Sequence, residues 1–204
     1  MRRRLLVPVV GALAAWPLAP AVALIVVAFT TVSAVLGGSF VSRLNTDLRE
    51  TKGWSYGVRS GISAFENRVP YIVTAPVQAD RTGDSVKAVL DNIRAFVTTK
   101  GTTPQERART IDSSIRELPG QFETSGAVLG AMQRIVFLGR PDTYYTTLAD
   151  RYRAMTAADF DAAMRAAVNP DTLAIVVVGD AKVIRPQLEK LGLPIELVQL
   201  PTAK

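Results

Sequence analysis

The stretch Leu36-Gly37-Gly38-Ser39-Phe40-Val41-Ser42-Arg43-Leu44-Asn45-Thr46-Asp47-Leu48-Arg49-Glu50-Thr51-Lys52-Gly53-Trp54-Ser55-Tyr56-Gly57 changes its hydrophobic period partway along. Gly37-Gly38 interrupts the chain as a tight turn between helices. Phe40, Val41, Leu44 and Leu48 then recur at helical spacing, which predicts a helix over 40–50 with those four on its apolar face. Thr51-Lys52-Gly53 ends it, and Gly53 suits a left-handed cap. From Trp54 the period falls to two: Trp54, Tyr56, Val58 and Ser60 alternate with Ser55, Gly57 and Arg59, as in a half-buried strand. A helix that turns at once into a strand predicts a mixed α and β fold.

Working outward toward the C-terminus, Ile62 and Phe65 prolong that strand, Asn67-Arg68 make a turn, and Tyr71 to Val77 form a second strand. The pair reads as an antiparallel hairpin with Pro76 marking an edge or bulge. Helices follow. Asp84 to Thr99 carries Val86, Val89, Leu90, Ile93, Phe96 and Val97 on one stripe. Thr103-Pro104-Gln105-Glu106 has the pattern of a capping box with Pro in the first turn. Further helices are predicted over 124–138, 142–154 and 156–168. Thr172 to Val178 is a continuous apolar run, expected as a buried central strand. A helix over 182–191 and a short strand over 195–198 complete the order. The fold class is α+β, with helices packed on one face of a mainly antiparallel sheet.

The 204 residues suffice for one domain with a real core. Apolar residues make up 48% and charged residues 21%, which places the chain among globular proteins. The net charge is +6, of which Arg2, Arg3 and Arg4 supply three, leaving +3. Lys and Arg elsewhere interleave with Asp and Glu, so no basic face marks a nucleic-acid partner. The chain contains no Cys and no His, which excludes disulfides, thiol chemistry, zinc fingers and any His-based metal motif.

From Leu5 to Ser42 no residue is charged. One reading is a secretory signal over residues 1–23: three arginines, an apolar run from Leu5 to Trp16, a Pro17–Pro20 break and the small-residue site Ala21-Val22-Ala23. A second is a membrane anchor through residues 13–36, long enough to span a bilayer with its N-terminus cytoplasmic. A third is a buried segment of the fold. The first two place the remainder, residues 24–204, outside the cytoplasm as one domain, periplasmic or anchored facing the periplasm.

Leu36 to Leu44 followed by Leu48 to Gly57 resembles the core signature of pitrilysin/insulinase-type zinc peptidases, of the inverzincin group. Thr103-Pro104-Gln105-Glu106, Leu118-Pro119-Gly120-Gln121-Phe122-Glu123, Tyr144-Tyr145 and Val176-Val177-Val178-Gly179-Asp180 follow in the family's order. Together they cover residues 28–200. The resemblance implies a half-domain of the pitrilysin and mitochondrial-processing-peptidase type, one of a homologous pair. The catalytic half carries His-x-x-Glu-His and the zinc. This chain is similar to the other, non-catalytic half, which binds peptide substrate together with its zinc-bearing partner domain or subunit. The resemblance therefore implies no enzyme activity and no cofactor in this chain alone, zinc being expected only in the partner. It also assigns Arg49 and Tyr56 to substrate binding across the interface. Without it, Arg49 would read as a surface partner of Asp47 or Glu50 and Tyr56 as part of the sheet.

The chain departs from the family before Leu36. Strands and a helix expected there are missing. Leu24 to Ala28 reads as one surviving strand and Thr30 to Leu36 as a shortened helix. That departure leaves two alternatives to a peptidase subunit: an exported or membrane-anchored scaffold that binds peptides or proteins, and a truncated, non-functional gene product.

Overall fold

The computed structural model describes residues 20–62 and 70–198. Pro20–Ser33 is an α-helix (α1) that widens into a π-helical turn over Ala34–Gly38. Arg43–Asn45 (α2) likewise widens over Thr46–Thr51. Strands Arg59–Ile62 (β1) and Tyr71–Thr74 (β2) pair antiparallel, with Arg59 opposite Thr74 and Ile62 opposite Tyr71. An isolated Ser55–Val77 bridge prolongs the pairing. The helices that follow are Thr82–Thr98 (α3), Pro104–Glu117 (α4), Ser125–Phe137 (α5), Leu148–Ala154 (α6), Ala157–Ala167 (α7) and Ala181–Glu189 (α8). The α+β class stands, with a two-stranded sheet among the described residues and a larger helical part.

The segment 20–38 corrects two expectations. Leu24–Ala28 is not a strand, and Thr30–Leu36 is not a separate short helix: one continuous helix spans both. Val27, Ala28, Phe29, Val32, Val35 and Leu36 are buried, and the helix packs against α7, α4 and β1. Burial against that surface outweighs the strand preference of the β-branched residues. The hydroxyls of Thr31 and Ser33 donate to the carbonyls of Val27 and Thr30, so their burial leaves no polar group stranded. The stretch Val27–Thr51 is apolar and long enough to cross a membrane by length and composition, yet 61% of its 18-residue apolar segment is buried inside the fold. An anchor over residues 13–36 would have to withdraw Val27, Ala28, Phe29, Val32, Val35 and Leu36 from the core. The Ala21-Val22-Ala23 site falls in the first turn of α1.

The helix expected over 40–50 begins instead at Arg43. Leu44 and Leu48 are fully buried, whereas Phe40 and Val41 sit in the preceding turn and are exposed. The predicted capping box at Thr103 forms. Thr103 Oγ1 accepts from the Glu106 amide while the Glu106 carboxylate accepts from the Thr103 amide at 2.8 Å. Thr156 and Asp159 repeat the arrangement at α7. Gly53 adopts φ +64°, as its place after the helix requires. The core gathers Leu36, Leu44, Leu48, Ile93, Phe96, Met155, Phe160 and Met164 between α1, α3, α4 and α7.

The C-terminal strands are corrected as well. Residues 173–178 are extended but join no sheet, and Val176 and Val178 are 85% and 89% exposed. Residues 195–198 form no strand either. An apolar run becomes a central strand only where neighbours supply backbone partners on both sides. Among the described residues the hairpin ends at β2, and no strand lies between it and residues 173–178. The expected Phe65 continuation and the Asn67-Arg68 turn lie outside the described residues.

Candidate functional site

Arg49 and Tyr56 come together on the surface. Arg49 belongs to the widened helical turn after α2. Gly53 then reverses the chain, and the amides of Trp54 and Ser55 both donate to the Leu48 carbonyl, at 2.8 and 3.3 Å. The loop that follows is pinned on two sides. Asn45 Oδ1 accepts from the Val58 amide at 2.7 Å, and Asn45 Nδ2 donates to the Val58 carbonyl at 2.8 Å. Ser55 Oγ donates to the Pro76 carbonyl at 2.6 Å and accepts from the Gly57 amide at 3.1 Å. Tyr56, between these fixed points, projects with 90% of its surface exposed.

The Arg49 guanidinium lies 4.2 Å from the centre of the Phe40 ring and 5.4 Å from that of Tyr56. Cations favour aromatic faces through the ring quadrupole. Its Nε is 3.4 Å from Glu50 Oε1, so the surface pairing expected of an isolated arginine exists alongside the stacking. Phe40 was not singled out in the sequence as a site residue. Its position on the helix-like pattern pointed to the core, while its neighbourhood to Arg49 follows from the turn at 39–42. The signal that would have found it is the Gly37-Gly38 break, which delays the helix past Phe40.

Two groups of donors therefore face outward, the guanidinium of Arg49 and the phenol of Tyr56, flanked by the exposed apolar Phe40 and Val41. Such a patch offers hydrogen-bond donors beside apolar surface, the chemistry of a contact with carbonyl oxygens and apolar side chains. Zinc ligation does not fit this chain. His and Cys are absent from the sequence, and among the described residues no three Asp or Glu side chains cluster.

Behind the patch, Arg43 anchors α2 to α4. Its Nε and Nη2 donate to the two oxygens of Glu106, both at 2.7 Å. The same guanidinium donates to the carbonyls of Lys100 and Gly101 and lies 4.7 Å from the centre of the Phe96 ring. Burial works to raise the Glu106 pKa, but hydrogen bonds from Arg43 and Thr103 prevail and hold it down at about 2. Glu106 therefore serves as a cap and a structural anion.

Known proteins resemble this chain at two levels, a family model and solved structures. Residues 13–114, half of the chain, match the family described as the peptidase M16 inactive domain. The crystal structure of a peptidase M16 inactive domain from Pseudomonas fluorescens superposes with a TM-score of 0.63 at 28% identity, covering 72% of this chain and 35% of that one. The inactive peptidase domain of a zinc protease-like protein from Bordetella parapertussis shares the fold at 14% identity, with a TM-score of 0.60 over 70% of this chain and 77% of that one. The periplasmic protease PqqL of Escherichia coli shares it at 16% identity and a TM-score of 0.58, over 70% of this chain and 16% of that one. This chain thus spans about a third of the length of the Pseudomonas fluorescens structure. No curated protein gives a significant match.

Proposed function

We propose, for a chain that belongs to the peptidase M16 inactive-domain family, that it binds peptide for a zinc-bearing partner domain or subunit and cleaves nothing by itself. The observation that carries this reading is the exposed stack of Phe40, Arg49 and Tyr56. An arginine held against two rings is pre-oriented, so less freedom is lost when it meets a ligand. Its remaining donors and the Tyr56 hydroxyl are free to face a partner's active site. There they would bind the substrate backbone and stabilise the oxyanion of the tetrahedral intermediate, each donor being worth about 2–4 kcal/mol in a water-poor chamber. Zinc is held by the partner, not by this chain. The three leading arginines and the uncharged stretch after them support export, and so does the fold shared with a periplasmic protease of Escherichia coli.

The test is reconstitution. Purified chain is mixed with a homologous His-x-x-Glu-His domain and a quenched fluorescent peptide. Activity is expected only in the mixture, and it should fall roughly 10²–10³-fold in Arg49→Ala or Tyr56→Phe, the loss that follows removal of one oxyanion donor. Hydrolysis by this chain alone with one equivalent of zinc would overturn the reading. Full activity of both variants in the mixture would remove Arg49 and Tyr56 from it.

A further inference from the structure

A cavity of about 1460 Å³ separates β2 from the extended residues 173–178. Its walls are the chain from Pro70 to Ala79 on one side and from Leu173 to Gly179 on the other. Val86, Val89, Leu90 and Ile93 of α3 also line it. No β1 residue lines it, so it runs along the edge of β2 that the hairpin leaves open. Both walls are extended backbone, and neither finds a ladder partner on the cavity side among the described residues. Unpaired strand edges present amide and carbonyl groups ready to pair with another strand.

The chemistry of the lining selects the occupant. No charged side chain contributes to it. A lipid tail or small apolar ligand would cover α3 but leave two rows of backbone groups unpaired, which is costly once water is excluded. An extended polypeptide pairs with both rows and presents alternate side chains to α3. The size also fits. A six-residue strand is about 20 Å long, takes about 4.8 Å of sheet width and about 10 Å of depth, hence about 1000 Å³. Ser85, on the α3 side, is 2% exposed, and its hydroxyl has no hydrogen-bond partner among the described residues. Val176 and Val178, almost fully exposed, are residues that a completed sheet would shelter in part.

We infer that this groove takes one uncharged β-strand from another polypeptide, which inserts between Tyr71–Thr74 and residues 173–178 and completes the sheet. The strand pairs through its main chain on both edges, and its helix-facing side chains are apolar. Tyr56 borders one end of the groove, whereas Phe40 and Arg49 do not line it; exchange at 71–74 and 173–178 is read without any peptidase assay, so the two readings fail independently.

The test is backbone hydrogen exchange on the full chain, with and without the capped peptide acetyl-Thr-Val-Thr-Val-Thr-Val-Thr-amide in excess. Binding should slow exchange by at least about tenfold within both 71–74 and 173–178, and not in α5. A version N-methylated at alternate residues cannot donate along one edge and should protect one wall only. Absence of protection at saturating peptide overturns the inference. So does protection already present in the free chain: if independent of protein concentration, the chain's own residues fill the groove, and if it rises with concentration, a second copy does.

Discussion

Gly37 and Ser60 meet where the helical layer touches the hairpin. A Cβ on Gly37 would stand 2.7 Å from Ser60 Oγ and 2.9 Å from Ser60 Cβ. Ser60 cannot easily retreat, because its hydroxyl donates to the Ser33 carbonyl at 3.1 Å. Gly37→Ala should therefore destabilise the fold by about 1–3 kcal/mol through overpacking. Ser60→Gly removes both atoms that clash, so the double variant should be more stable than the sum of the two single effects predicts. Urea denaturation of the four proteins checks this, and simple additivity would show that the contact is not tight.

Asn45 does for Val58 what a neighbouring strand residue would do, closing both of its backbone groups while 5% exposed. It also donates to the Ser39 carbonyl at 3.0 Å. Asn45→Ala leaves those buried groups unpaired and should cost about 1–3 kcal/mol. Asn45→Asp keeps the acceptor but loses the donor and buries a charge, so it should be at least as damaging. Exchange at the Val58 amide should quicken in Asn45→Ala well before global unfolding, and an unchanged rate would contradict the pairing.

Acid should weaken the clamp between α2 and α4. The Glu106 pKa is depressed from 4.5 to about 2 in the fold. A depressed carboxylate contributes stability that is fully present above its unfolded pKa and is lost as the pH falls through the folded value. The window is therefore pH 4.5 down to about 2, and the contribution at neutral pH, allowing for partial solvent screening, is about 2 kcal/mol. Asp159 is lowered too, by the backbone and then the side-chain hydrogen bond of Thr156, and acts in the same direction. Glu106→Gln should lower stability at pH 7 and flatten, without abolishing, the fall between pH 4.5 and 2.5. An unaltered acid slope in that variant would show that the Arg43 pair does not drive it.

Local signals were legible wherever one stretch of chain decides its own structure. The capping boxes at Thr103 and Thr156, the left-handed Gly53 and the stripe of α3 all form as their residues imply. What could not be read locally were elements whose state depends on a distant neighbour. Leu24 to Ala28 is rich in strand formers but lies within one helix whose following residues, Val27 to Leu36, pack on α7 and the core. Residues 173–178 have the composition of a central strand, yet no flanking strand pairs with them among the described residues. At the site, only the family resemblance brought Arg49 and Tyr56 together. Phe40 and Asn45 escaped notice, because one depends on where the helix begins and the other on a contact thirteen residues away.

The Phe40–Arg49–Tyr56 patch should be nearly irrelevant to stability, which separates it from the packing around it. Tyr56 is 90% and Phe40 65% exposed, and an exposed cation–π contact contributes about 0.5–1 kcal/mol. Tyr56→Ala, Phe40→Ala and Arg49→Ala should each change the unfolding free energy by no more than about 1 kcal/mol. Phe160, wholly buried between α1 and α7, provides the contrast: Phe160→Ala should cost about 3–5 kcal/mol through the cavity it leaves. Guanidinium unfolding followed by circular dichroism measures all four. A surface triad retained for binding gives three small changes against one large one. If Tyr56→Ala alone lost several kcal/mol, Tyr56 would be holding the loop rather than presenting its hydroxyl, and the substrate-binding role would have to pass to Arg49 without it.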